Sequence, residues 1–176
     1  MDNQRYNDFL EFALKQILQS AQSYAAQAKL CEEHSKKLFL YFLSSRKREQ
    51  YILLEKENAE YGNSPRGCGI NPSEFKEIQF GSAALSQMDV SEINAVLCGR
   101  ARQEFKFFID LASFEEDTAT KKLLIKLSRI SKKSIKDIET GFSLFISQPK
   151  KHLNLPVLCR EILPAAIRGE RSAVFN

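Results

Sequence analysis

Apolar residues along this chain recur at spacings of three and four rather than two, the period of side chains sharing one face of an α-helix. Four long segments carry the pattern. In the first, from about Tyr6 to Glu33, Leu10, Ala13, Ile17, Ala21, Tyr24 and Ala28 fall on one face. The second, about Ser35 to Tyr61, aligns Phe39, Leu43, Lys47, Gln50 and Leu54 before the Gly62-Asn63-Ser64-Pro65 run stops it. A third begins near Asp89 or Ser91, either of which can cap the exposed N–H groups of a first turn, and carries Cys98, Ala101, Phe105, Phe108 and Ala112. The fourth runs from about Thr118 to Ser147 with Leu124, Leu127, Ser131, Ser134, Ile138 and Phe142 inward, and Pro149 lies at or just beyond its end.

The joints within each pair of segments are short, which predicts antiparallel hairpins over about 6–61 and 89–147. Residues 62–88 form a long crossover holding Gly62, Gly67, Gly69, Gly81 and two prolines, in which Asn71-Pro72-Ser73-Glu74 is suited to start one short helix. The prediction is an all-α four-helix bundle over residues 1–149, followed by a partly helical tail over 150–176. That tail is apolar at Leu153, Leu155, Val157, Leu158, Ile162, Leu163 and Ile167 and interrupted by Pro156 and Pro164, so it packs across the bundle or docks on a protein partner.

Composition fits this picture. Hydrophobic residues make up 43% and charged residues 27%, with few glycines and prolines to break long helices. No stretch is apolar enough to span a membrane and the first residues form no secretion signal, so a cytoplasmic location without membrane contact is expected. The four cysteines (Cys31, Cys68, Cys98 and Cys159) form no Cys-x-x-Cys pair and read as reduced thiols. Basic residues cluster at Arg46-Lys47-Arg48 and along Lys121, Lys122, Lys126, Arg129, Lys132, Lys133 and Lys136. With a net charge of only +4, these read as solvated helix surface, and a nucleic-acid partner is not expected.

The second hairpin repeats the first at an offset of 84 residues, without gaps. Tyr24 pairs with Phe108, Ala28 with Ala112, Glu32 with Glu116, Leu40 with Leu124, Leu43-Ser44 with Leu127-Ser128, and Leu54 with Ile138. Two copies of one helical hairpin, each burying its apolar face against the other, account for this. Together with the runs Phe107-Phe108-Ile109-Asp110-Leu111-Ala112, Glu115-Glu116-Asp117 and Lys122 to Ser128, the repeat resembles the rubrerythrin-like members of the ferritin-like superfamily over about Ala13 to Gly141. The resemblance implies a ferritin-like bundle of two repeated hairpins, a homodimer, and a di-iron centre at mid-bundle.

In that family each hairpin supplies a Glu from its first helix and a Glu-x-x-His from its second. Carried over residue by residue, these positions fall on Ile17, Lys47 and Gln50 in one copy and on Ala101, Ser131 and Ser134 in the other. Two lack any donor atom, an ammonium repels iron, and serine hydroxyls bind it poorly. No metal or other cofactor is therefore expected, iron being the alternative. Glu49, Glu104 and Asp137 are weak substitute ligands, but no histidine joins them, since His34 lies at the first joint and His152 in the tail. A buried Lys47 needs a partner, and an ion pair with Glu104, surrounded by Gln50, Ser131 and Ser134, would supply one; the other possibility is that Lys47 snorkels outward.

There is no Cys-rich rubredoxin module, Gly-rich phosphate loop or Ser-His-Asp arrangement. The sequence thus reads as a non-catalytic structural or binding bundle rather than an enzyme. The alternative is a rubrerythrin-class iron-binding oxidoreductase using the displaced carboxylates.

Overall fold

The computed structural model describes residues 4–60, 85 and 87–146. The crossover from 61 to 84 and the tail over 150–176 lie outside the described residues. Four helices are present: α1 (Gln4–Leu30), α2 (His34–Glu60), α3 (Val90–Phe114) and α4 (Thr118–Phe145). Among the described residues there is no strand, and no helix is long and apolar enough to cross a membrane.

Local chemistry sets the helix ends. Of the two candidate caps for α3, Asp89 is the one used: its Oδ1 accepts from Glu92 N at 2.8 Å while Glu92 Oε2 accepts from Asp89 N at 2.9 Å, a reciprocal capping box. Asp117 caps α4 from one side only, its Oδ2 accepting from Thr120 N at 2.7 Å. The first helix ends at Leu30, short of the expected Glu33, because the chain tightens through a Cys31 N to Ala28 O bond at 3.3 Å. Glu33 O instead accepts from Lys37 N at 3.0 Å, so Glu33 belongs to the start of α2.

Contacts between helices fix their directions. Arg5, at the start of α1, pairs with Glu115 just before α4 at 3.3 Å, so α1 and α4 run parallel. Phe42 meets the Phe145 ring at 5.7 Å while Gln50 reaches Ser134, which makes α2 and α4 antiparallel. Lys36, at the start of α2, donates to Met88 O at 2.5 Å and holds the start of α3 beside it. The four helices therefore run up, down, down and up, and α2 ends at the opposite end of the bundle from where α3 begins.

Two apolar clusters fill the interior. One unites Ala28, Phe39, Leu40, Leu43, Ile93 and Leu97 around the start of α2 and α3. The other unites Leu10, Ala13, Leu54, Phe108, Leu123 and Leu124 around their ends. Burying each Leu or Phe stabilises by roughly 1.5–3 kcal/mol relative to exposure. The inward faces expected of α1 and α4 are the buried ones, with Phe142 half-buried. Burial on α2 is broader, extending to Phe42, Ser44 and Ser45, because this helix packs against both α1 and α4. Small residues bring α1 and α2 close: Ala21 and Ala28 are fully buried, and Ser44 Oγ donates to Ala21 O at 2.8 Å.

Gly141 sets the approach of α4 to α2. A Cβ at this position would lie 2.8 Å from Phe42 Cδ1 and 2.9 Å from Phe39 Cε2, both in buried rings that cannot swing away cheaply. Gly99 of α3 has nothing within 4 Å of the same added atom. One substitution should thus act oppositely at the two sites. Gly99→Ala is expected to stabilise by about 0.5–1 kcal/mol through helix propensity. Gly141→Ala should destabilise by about 1 kcal/mol, because overpacking of roughly 1–3 kcal/mol exceeds that gain. Urea melts of the two variants check the pair, and equal shifts would contradict this packing.

Candidate functional site

The two apolar clusters do not meet in a continuous core. At mid-length, α2 contributes Lys47 and Gln50 and α4 contributes Ser131 and Ser134, because the helical period that keeps these positions inward does not stop where the residues turn polar. Gln50, Ser131 and Ser134 are buried, and Lys47 is half-buried along its stem.

Ser134 is the junction of this layer. Its Oγ accepts from Lys47 Nζ at 3.1 Å and from Gln50 Nε2 at 3.2 Å. The single hydroxyl proton goes to Ile130 O at 3.1 Å or to Gln50 Oε1 at 3.4 Å. One donor and two acceptor sites are all that a serine hydroxyl has, so Ser134 is saturated. Ser131 Oγ turns back along its own helix and donates to Leu127 O at 3.2 Å. Gln50 and Ser134 are repeat mates, 84 residues apart, and here bond each other across the α2–α4 contact.

Two small pockets flank the layer, and Lys47 lies in the wall of both. The larger, about 30 Å³, is bounded by Phe12, Ile17, Lys47, Glu104, Phe108 and Ser131, among others. The smaller, about 10 Å³, is bounded by Tyr24, Arg46, Lys47, Gln50, Ser134 and Asp137, with Leu43 and Ile138. Asp137 Oδ2 and Arg46 Nε are buried beside it without a hydrogen-bond partner among the described residues. Burial raises the Asp137 carboxyl above the usual range, Glu49 adds to the rise, and Arg46, Lys133 and Lys47 oppose it. Burial also pushes the Tyr24 phenol up to about 12; Arg100 pulls it down and Glu104 lifts it further.

Five of the six positions singled out from the sequence line these two pockets: Ile17, Lys47, Gln50, Ser131 and Ser134. The sixth, Ala101, is buried in the cluster around the start of α3. The carboxylates weighed as substitute ligands are each engaged with or surrounded by cations. Glu49 pairs with Arg46 at 2.8 Å, Glu104 lies 3.8 Å from Arg100, and Asp137 sits among Arg46, Lys133 and Lys47. Among the described residues no group of three or more His, Cys, Asp or Glu is placed to hold a metal ion. His34 is exposed at the start of α2, and Cys31 and Cys98 are buried free thiols, both raised by burial.

The expected Lys47 to Glu104 ion pair is corrected by this geometry. Both residues face the larger pocket, but the Lys47 ammonium bonds Ser134, and no ion pair within 4 Å joins it to Glu104. Arg100, one turn away on the same helix, reaches Glu104 without ordering a second helix's side chain. Two other contributors escaped the sequence reading. Arg46 lies 5.1 Å over the Phe42 ring, and its i,i+3 spacing from Glu49 was the available signal. Lys36 is buried with its acceptor 52 residues away, and no local pattern announces that.

Removing the junction should be costly. Ser134→Ala leaves Lys47 and Gln50 donors without their acceptor and is expected to lower stability by about 1–3 kcal/mol, measured by urea denaturation. For Asp137, a raised carboxyl means the folded state holds its proton more readily than the unfolded chain. Stability is therefore lost as pH rises from 3.8 through the raised value. Asp137→Asn should accordingly be more stable than the parent at neutral pH, with the difference shrinking toward acid; melts across pH read this directly. No family model matches the chain, nor does any curated protein or solved structure match it.

Proposed function

We propose that this chain is a ferritin-like bundle, related in plan to rubrerythrins, that acts as a non-catalytic structural or binding protein, homodimeric and cytoplasmic. One observation carries the reading. Of the positions where that plan would place a di-iron centre, Lys47, Gln50 and Ser134 form an ammonium–hydroxyl–amide cluster at mid-bundle, with Ile17 and Ser131 in the wall of the adjoining pocket. The up, down, down, up order of the helices supports the same plan, as does the bond between the repeat mates Gln50 and Ser134.

The donor set does not suit iron. Ile17 and Ala101 carry no ligating atom, and Lys47 places a positive charge where a cation would have to sit. The carboxylates nearby are engaged with or lie close to guanidinium or ammonium groups, which compete with any metal for their oxygens. Lys47 supplies a covalently attached cation at this level and finds a neutral acceptor in Ser134, so the layer already carries positive charge without a bound ion.

Elemental analysis of full-length protein purified after growth with added iron and manganese tests the reading. The expected result is far less than one tightly held metal per chain. Near-stoichiometric metal that survives dialysis against a chelator would establish the displaced-carboxylate oxidoreductase instead.

A further inference from the structure

The cations of α4 collect on the side of the helix turned away from the core. Lys121, Lys122, Arg129, Lys132, Lys133 and Lys136 are exposed, Lys126 is half-buried, and the buried residues fill the opposite face of the helix. No Asp or Glu occurs from Thr118 to Lys136, and none of the six exposed cations has an ion pair within 4 Å among the described residues. Net charge conceals this row: apart from its seven cations, 19 Lys and Arg stand against 22 Asp and Glu, so the rest of the chain is acidic. Solvation alone does not account for it. Either sign of charge keeps a helix face wet, whereas like charges three or four residues apart repel. Here Lys122 and Lys126, Arg129 and Lys133, and Lys132 and Lys136 each stand four apart. The repeat does not require the row either, because the α2 positions matching Lys122, Lys126, Arg129, Lys133 and Lys136 are Leu38, Phe42, Ser45, Glu49 and Ile52.

We propose that the outer face of α4 binds the phosphodiester backbone of a nucleic-acid duplex, without preference for base sequence. The inference goes beyond the reading above: it gives the bundle a partner, and it stands on the outer surface rather than on the mid-bundle layer. Charge and geometry select that partner. From Lys121 to Lys136 the row rises about 22 Å along one helix, the span of about six base pairs of duplex. Six of its seven cations are lysines, which meet phosphate as compact point charges rather than reading base edges bidentately. With α2 and α3 packed along its flanks, α4 can lie against a backbone but cannot enter a groove deeply, so the contacts carry no sequence information. A second copy docked symmetrically through this face would set cation against cation. A bilayer is a poorer match, because the large exposed apolar side chains among the described residues all lie on α1, α2 and α3, and α4 has none to insert among acyl chains.

Fluorescence anisotropy of the full-length wild-type chain with labelled DNA and RNA duplexes of about 20 base pairs, in unrelated sequences, provides the test. Saturable binding with a dissociation constant of about 1–100 µM near 0.1 M salt is expected, indifferent to sequence, with log K falling against log salt at a slope of about −4 to −6. Whichever duplex binds tighter identifies the source of the backbone, and equal affinity leaves the shared phosphodiester as the ligand. Arg129→Gln, Lys132→Gln and Lys136→Gln combined should weaken binding at least about tenfold and flatten the slope by about 2–3. This variant should melt no lower than the parent, because it removes repulsions. Lys15→Gln, Lys29→Gln and Arg48→Gln combined, an equal loss of charge at exposed positions off the row, should change affinity by less than about twofold. The proposal is overturned if neither duplex binds saturably, if the salt slope is flat, if the row variant binds like the parent, or if the off-row variant weakens binding equally. It is also overturned if phosphatidylserine vesicles or poly-glutamate bind as tightly as the duplexes, which would make the face a membrane or acidic-protein site. Metal content of the same preparation tests the function proposed above separately, since neither result bears on the other.

Discussion

A charged group held at the middle of a helical bundle constrains everything around it. Lys47 is half-buried here, and Ser134, on a different helix, is the group that meets its ammonium. That bond forms only when α2 and α4 are in one register. Sliding either helix by a turn, about 5.4 Å, would take the Ser134 hydroxyl away from both Lys47 and Gln50. The same interface is pinned a second time where Gly141 admits the rings of Phe39 and Phe42. Apolar surfaces alone tolerate slippage, because one leucine packs against another nearly as well as against its intended partner. One polar junction and one glycine notch together remove that freedom between the two hairpins.

The layer also explains why the interior is two clusters rather than one. Residues contributing to hydrophobic stability lie above and below it, with Tyr24, Leu43 and Ile138 on one side and Ile17, Leu54 and Leu127 on the other. A continuous apolar core would have given a larger hydrophobic term, and the polar layer forgoes part of it. Sacrifice of that kind at a single level of a bundle is how polar residues specify register in helical assemblies generally.

What could be read from the chain and what could not follow a physical line. Helix faces were legible because burial repeats with the helical period: every residue assigned inward on α1 is buried, and so are Leu124, Leu127, Ser131, Ser134 and Ile138 on α4. The level shared by Lys47, Gln50, Ser131 and Ser134 was legible from the repeat, whose offset of 84 residues matches Gln50 with Ser134. Pairing was not. The pattern places a residue on a face but says nothing of how far its side chain reaches, and Glu104 had a partner on its own helix that periodicity does not rank. Lys36 shows the limit at its clearest: an amphipathic reading puts a lysine at the surface, whereas its ammonium is drawn inward by a carbonyl that only the tertiary fold brings near.

The chemistry of the layer follows from where its positive charge resides. A carboxylate-rich bundle centre is stable only when metal ions neutralise it, so its folding and its loading are coupled. Here the cation is part of the chain, and its neighbours within bonding distance are neutral: one hydroxyl, itself bonded to an amide. Such a layer assembles as soon as the helices do and asks for no external ion. What it leaves unfilled is directional rather than electrostatic, because an ammonium has three donors and the junction satisfies one.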